Sequence, residues 1–214
     1  MSNCSSSMRI LLVILIASVV STRILRQGCS QETVMLADCL LPQQSYINNT
    51  LLHVKGHEIL DQNFMKRFVN FTRDLTTCID PKPVCDSTRH YKYFVDALNY
   101  VGETLYNPIV FKCLEKIEEP LRRCFDVSPA SYKSIFTLQI LPSAFQDILK
   151  CVTSSLLANN EMCAKRTTNK IQCAVIGIRQ IAKNYEKFQK GNMSVMVFDK
   201  KRMMPKPLRN VICE

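Results

Sequence analysis

The spacing of the cysteines constrains this chain more than any other feature of its sequence. Eleven cysteines are spread over 214 residues, and no two of them form a Cys-x-x-Cys pair. Zinc ribbons and thioredoxin-type redox sites use such close pairs, so the pattern disfavours both. Widely spaced cysteines are typical of structural disulfides that join separate parts of a chain in an oxidising compartment.

Two of these cysteines lie on one predicted helix near the middle of the chain. Between Val110 and Phe125, helical spacing places Cys113 and Cys124 on the same apolar face. At a rise of about 1.5 Å per residue, their Cα atoms are roughly 16 Å apart. A disulfide needs Cα atoms within about 7 Å. The helix must therefore be bonded to other helices, and Pro120 is expected to kink it or to make it end and restart.

The N-terminus is expected to be a secretory signal peptide over residues 1–21. Arg9 is its charged part, Ile10 to Val20 is an apolar run, and cleavage is expected after Ser21. An uncleaved anchor is the alternative, although the run is shorter than the roughly 20 residues of a transmembrane helix. Cleavage removes Cys4 and leaves an even number of cysteines, enough for up to five disulfides of open connectivity. The disulfide candidates are Cys29, Cys39, Cys78, Cys85, Cys113, Cys124, Cys151, Cys163, Cys173 and Cys213.

Apolar residues recur at helical spacing along most of the chain, and only five glycines are present. We therefore expect an all-α fold, a disulfide-stapled bundle of about six or seven helices without a significant sheet. The expected division is a cysteine-rich helical domain over residues 22–191 and a basic tail over residues 192–214, which Cys213 pins.

Three local expectations accompany this fold. A first helix over Gln31 to Leu41 is expected to turn apolar residues inward, and a polar loop is expected from Gln43 to Thr50. Asn169 is expected to cap the last helix. The apolar contacts of the first helix are expected to be Val34, Met35, Cys39 and Leu41.

Surface features are expected at the sequons and at the basic residues. The glycosylation candidates are Asn48, Asn70 and Asn192. The formal net charge is +10, and loss of Arg9 with the signal peptide leaves 27 basic against 18 acidic residues, or +9. A basic secreted chain is attracted to anionic surfaces such as glycosaminoglycans, acidic lipids or acidic proteins. The polyanion-binding candidates in the tail are Lys200, Lys201, Arg202, Lys206 and Arg209.

No constellation of residues predicts catalysis or a cofactor. The sequence has neither a Gly-rich phosphate loop nor a Gly-x-Ser-x-Gly elbow. His53, His57 and Asp61 are spaced to share a helix face, but Gly56 weakens that helix, so a solvated polar face is favoured over a metal site. We therefore expect a chain that is not an enzyme and that has no catalytic, cofactor or metal residues.

The cysteines also carry a resemblance to known families. Phe111-x-Cys113-Leu114-x-Lys116, preceded by Cys78 and Cys85 and followed by Cys124, resembles the nematode-expanded secreted family called domain of unknown function 19. That resemblance extends over roughly Cys29 to Cys213. The spacing of Cys113 and Cys124 is also similar to that of the insect haemolymph glycoproteins of about 27 kDa, which are helical and secreted. Neither resemblance implies a catalytic site.

The resulting hypothesis is a secreted, extracellular, non-enzymatic binding protein. Its expected partner is an extracellular protein or an anionic surface, without nucleic acid and without a transmembrane segment. The alternative is an extracellular carrier of a small apolar ligand, because helices joined by disulfides and lined with phenylalanines could enclose a cavity.

Overall fold

The structure is a computed structural model that describes residues 29–50, 60–126, 141–191 and 198–199. Its helices are α1 (Ser30–Leu40), α2 (Gln44–Asn49), α3 (Gln62–Cys78), α4 (Asp86–Tyr106), α5 (Pro108–Lys116), α6 (Glu118–Asp126), α7 (Leu141–Ala158) and α8 (Lys165–Gln189). Short 3-10 helices cover Leu41–Gln43 and Asn160–Met162. None of these described ranges contains a strand, so the predicted all-α fold is confirmed. Within these ranges the helices number seven if α5 and α6 are taken as one interrupted helix.

The predicted domain division is not tested, because its boundaries fall in parts of the chain that are not described. Residues 1–28, which include the predicted signal peptide, lie outside the described residues. The predicted tail is described only at Phe198 and Asp199.

The core is built around an antiparallel pair of long helices, α3 and α4, with α8 packed on α4. Asp61 caps α3 by accepting a hydrogen bond from the backbone N–H of Phe64 at 2.7 Å. Apolar residues at helical spacing are buried on both helices, such as Phe64, Phe68 and Leu75 on α3 and Leu98 and Val101 on α4, whereas Cys78 at the end of α3 is exposed. Gly102 lets the two helices approach closely, since a Cβ there would lie 3.2 Å from Cγ2 of Val69 and 3.3 Å from a ring carbon of Phe68.

The first helix corrects two expectations. Its buried residues are Leu36 and Cys39, whereas Val34, Met35 and Leu41 are exposed. The prediction was therefore wrong for Val34, Met35 and Leu41, whereas Cys39, which is disulfide-bonded to Cys78, is buried as predicted.

The predicted polar loop after α1 is also wrong, because helical turns continue through it. Pro42 lies at the start of the 3-10 helix Leu41–Gln43. A backbone N–H at that position would have no hydrogen-bond partner within the helix, so proline is tolerated there. Helix α2 follows directly and is held by Ile47, which is buried.

The central helix ends and restarts, which is one of the two outcomes predicted for Pro120. The break lies at Ile117, whose φ of −114° and ψ of 20° are not helical. Pro120 then becomes the third residue of α6, where a backbone N–H has no partner within the helix. The break also removes the clash with the carbonyl of Lys116 that a continuous helix would impose.

Helix α8 begins earlier than the predicted cap at Asn169. The carbonyl of Ala164 accepts hydrogen bonds from the N–H groups of Thr167 and Thr168 at 2.8 and 3.0 Å. Both threonines are buried. The helix therefore starts at Lys165, because tertiary burial stabilises a first turn that side-chain capping alone does not predict.

Four disulfides of the described residues form two nested pairs. The bonds are Cys29–Cys85, Cys39–Cys78, Cys113–Cys163 and Cys124–Cys151. In each nested pair the two cysteines of one segment bond the two cysteines of a later segment in reverse order, like the rungs of a ladder. We call the first pair the N-terminal ladder and the second pair the C-terminal ladder.

Each ladder joins a different set of helices. The N-terminal ladder fastens both ends of α1 across the connection between α3 and α4. In the C-terminal ladder, Cys113 joins α5 to the connection before α8, and Cys124 joins α6 to α7. Cys173 is also disulfide-bonded, and Cys213 lies outside the described residues. Cys113 and Cys124 are thus bonded to two separate parts of the chain, as expected, although only Cys151 lies in a helix and Cys163 lies in a connection.

Candidate functional site

The basic residues predicted to bind polyanions all lie outside the described residues. These are Lys200, Lys201, Arg202, Lys206 and Arg209. The structure therefore does not test whether these tail residues bind polyanions. The described residues instead show a second basic surface, which the sequence reasoning missed.

This second surface lies on α8 and consists of Arg179, Lys183 and Lys187, which we call the α8 basic face. All three side chains are exposed. Each four-residue step advances about 6 Å along a helix and about 40° around it. The three cations therefore form a column roughly 12 Å long on one side of α8. The signal for it was present in the sequence as basic residues at every fourth position.

The α8 basic face owes its orientation to the opposite side of the helix. Ile171, Ala174, Ile181 and Tyr185 are buried, and α8 packs against α4, α5 and α7. Since its apolar side is committed to the core, the cations must face outward.

The cations of the α8 basic face belong to none of the ion pairs seen among the described residues. Six such pairs join residues between Arg73 and Lys150. Within that range Arg73 binds Glu103 at 3.0 Å, and Arg123 binds Glu119 at 3.3 Å. None of these described pairs includes Arg179, Lys183 or Lys187.

The charge along the sequence is divided in the same way. Residues 22–164 contain 15 basic and 15 acidic residues, so their net charge is zero. Residues 165–214 contain 12 basic and 3 acidic residues, so their net charge is +9. The whole excess of positive charge after residue 21 therefore belongs to α8 and the segment that follows it.

A small crevice lies where α1 meets the connection between α3 and α4. It has a volume of about 10 Å³ and is lined by Met35, Leu36, Ile79 and Thr88, among others. That is room for about one water molecule, far below the roughly 300 Å³ of a typical ligand pocket. The crevice lends no support to the carrier hypothesis, which stays a prediction.

Glu32, which also lines this crevice, joins α1 to the start of α4. Its carboxylate accepts hydrogen bonds from the backbone N–H groups of Val84 at 2.7 Å and Cys85 at 3.0 Å. These groups directly precede α4, so a carboxylate from α1 stabilises the start of α4 and complements its dipole. Asp86, whose side chain type is typical of a helix cap, is instead the first residue of α4.

The buried titratable groups belong to the core. Tyr93 contacts Asn184 on α8 through its hydroxyl, and Asn184 accepts a hydrogen bond from Gln180 at 2.9 Å. Burial raises the pKa of Tyr93 above its usual value, and the Asn184 hydrogen bond opposes that rise. His90 is buried against the ring of Phe188. These groups join α4 to α8.

Two of the three predicted glycosylation sites are described. Asn48 is exposed on α2, and Asn70 is exposed on α3 although Phe71 and Thr72 beside it are buried. Asn192 lies outside the described residues. Both described positions leave room for a glycan, and their modification stays a prediction.

The histidine and aspartate pattern considered for a metal is only partly described. Asp61 caps α3, while His53 and His57 lie outside the described residues. Within the described ranges, no group of three or more histidine, cysteine, aspartate or glutamate residues is arranged to hold a metal ion. A search of those same ranges finds no helix with the length and apolar character needed to cross a membrane.

Comparisons with models of protein families, with curated proteins and with solved structures found no match. The resemblances to domain of unknown function 19 and to the insect haemolymph glycoproteins therefore stay predictions.

Proposed function

We propose that this protein is secreted and acts outside the cell by binding a partner, without catalysing a reaction. The observation that carries the proposal is the disulfide framework. All nine cysteines in the described residues are disulfide-bonded. Such a framework forms and persists in oxidising compartments, in agreement with the signal peptide expected over residues 1–21.

The chemistry of the described side chains supports a binding role. A cysteine that is bonded in a disulfide cannot act as a thiolate nucleophile. Glu118 and Glu119 each pair with the arginine one turn later in α6, which is the usual arrangement on a helix surface. The described cysteines and these two glutamates thus already have bonding partners within the protein.

The proposed partner is an extracellular protein or an anionic surface. The uneven charge supports the anionic alternative, because +9 is concentrated in residues 165–214. A concentrated charge of one sign speeds association with an oppositely charged partner.

Expression in a eukaryotic secretory cell line tests the proposal. The full chain is expected in the medium, without residues 1–21 and without thiols that can be alkylated. Its mass should rise by about 2 Da for each disulfide that is reduced. A chain that begins with Met followed by residue 22 is the control and is expected to remain inside the cell.

Two results would contradict the proposal. One is a full chain that is retained in the cell with several reactive thiols. The other is a secreted, correctly bonded chain that binds neither immobilised polyanions nor any protein in a screen of extracellular domains.

A further inference from the structure

We infer that the α8 basic face is a binding site for a linear sulfated polysaccharide of the extracellular matrix. The inference rests on the proposed function and names the partner and the residues that bind it. It places the binding site on a folded helix rather than on the tail residues that the sequence singled out.

The arrangement of the cations suits an extended polyanion. Arg179, Lys183 and Lys187 lie along about 12 Å of the helix within an arc of about 80°. A linear chain with repeated sulfate groups can therefore contact all three at once. Because α8 belongs to the packed bundle, its backbone is already ordered. Binding through these side chains therefore costs little backbone conformational entropy.

The absence of ion pairs on this face lowers the cost of binding. An exposed cation that is already paired must exchange one anion for another, with little net gain. The ion pairs seen among the described residues, from Arg73–Glu103 to Lys150–Asp147, include no residue of this face. The acidic residue of α8 is Glu186, against six basic residues in the same helix. A sulfated chain would thus supply anions where the described protein offers few.

The other anionic partners fit this face less well. Binding of a helix to a membrane surface needs exposed apolar side chains that enter the lipid. The exposed large apolar residues of the described chain include none from α8. Single-stranded nucleic acid is bound with aromatic rings on which bases stack. On α8, Tyr185 is buried, and Phe188 packs against His90.

The test compares two triple variants of the full secreted chain on heparin as the probe. The α8 variant carries Arg179→Gln, Lys183→Gln and Lys187→Gln. The control variant carries Lys66→Gln, Arg67→Gln and Lys112→Gln, which remove the same charge from exposed positions on α3 and α5. Circular dichroism checks that both variants keep the helical content of the wild type.

The expected effect follows from release of counter-ions. Each contact to a flexible polyanion contributes about 0.7 to the slope of log affinity against log salt, so three contacts contribute about 2. Taking 1 M salt as the point where this contribution vanishes, the α8 variant should bind heparin roughly 50-fold more weakly at 0.15 M salt. The control variant is expected to lose much less, with a nearly unchanged slope.

The outcomes separate this inference from the proposed function. Equal losses in the two variants would overturn the α8 site and leave only attraction by net charge. Failure of the wild type to bind heparin at 0.15 M salt would overturn the polysaccharide partner, whereas the proposed function would still be tested by secretion and by the protein screen. Stronger binding to phosphatidylserine vesicles than to heparin would also overturn it in favour of a lipid surface.

Discussion

Removal of the Cys29–Cys85 disulfide tests whether the nested arrangement of the N-terminal ladder determines its contribution to stability. The change is Cys29→Ala together with Cys85→Ala, which leaves Cys39–Cys78 in place. In the chain-entropy account, a disulfide stabilises by closing a ring in the unfolded chain, and longer rings contribute more.

The ring that the inner bond closes lies within the ring that the outer bond closes. Cys29 and Cys85 are separated by 56 residues, which alone gives about 4.2 kcal/mol at 25 °C. The inner bond already closes 39 of these residues, so the outer bond closes only the difference, 17 residues. A ring of that size gives about 3.1 kcal/mol. The expected loss in the free energy of unfolding is therefore about 3 kcal/mol.

Unfolding in guanidinium chloride, followed by far-ultraviolet circular dichroism without reductant, measures this loss. Removal of the inner bond by Cys39→Ala and Cys78→Ala should cost about 2.8 kcal/mol, and removal of both bonds about 7 kcal/mol. The joint loss should therefore exceed the sum of the two separate losses by about 1 kcal/mol.

Strict additivity of the two losses, with about 4.2 kcal/mol for the outer bond, would refute the nested-ring reasoning. Serine pairs at the same positions are the control. A loss that differed between the alanine and serine pairs would report side-chain packing rather than ring closure.

The remaining predictions concern a disulfide, a helix start, a buried phenol and a glycan. Cys213 is the cysteine after residue 21 that is not among the nine described disulfide cysteines, so peptide mapping without reduction is expected to link it to Cys173; a free thiol at either position would contradict this. Glu32→Ala leaves two backbone N–H groups before α4 without their acceptor and is expected to cost about 1–3 kcal/mol of unfolding free energy. Glu32→Gln, which keeps one acceptor oxygen, should cost less, and equal denaturation midpoints for the two variants would argue against the hydrogen bonds. Burial raises the pKa of Tyr46 from 10.0 to about 12, so the unfolded chain loses this proton at a lower pH than the folded chain does. The contribution of Tyr46 to the free energy of unfolding is therefore full below pH 10 and falls as the pH rises from 10 towards 12. Tyr46→Phe is expected to make the fall in unfolding free energy over that range shallower, and an unchanged fall would assign it to other groups. Asn48→Gln is expected to remove one glycan from the secreted chain, seen as a shift in gel mobility that enzymatic deglycosylation abolishes in the wild type; no shift would show that this sequon is not used.

Local patterns in the sequence predicted much of the core. The inward positions of α4, such as Phe94 and Leu98, follow from helical spacing of apolar residues and are buried. The helix boundary at Asn107-Pro108 also follows from the local sequence, and the Asn107 side chain accepts a hydrogen bond from the backbone N–H of Ile109 at 3.1 Å. These predictions succeeded because spacing and capping depend on neighbours within one or two turns.

Several wrong predictions arose where a distant part of the chain overrides the local pattern. Val34 and Met35 look like core residues within α1, yet they are exposed because the bonds at Cys29 and Cys39 set the rotation of that helix. The acceptor at the start of α4 is Glu32, more than fifty residues earlier in the chain. Spacing along the sequence contains no information about such contacts.

The sequence by itself determined the helical class and the number of cysteines available for bonding, because both follow from residue type and short-range periodicity. Only the tertiary structure decided which cysteines meet, since ten cysteines allow many pairings and Cα separation selects among them. It also decided that Arg179, Lys183 and Lys187 face outward without acidic partners. Their outward direction follows from the packing of the opposite side of α8 against α4, α5 and α7, and that packing joins parts of the chain that are far apart in sequence.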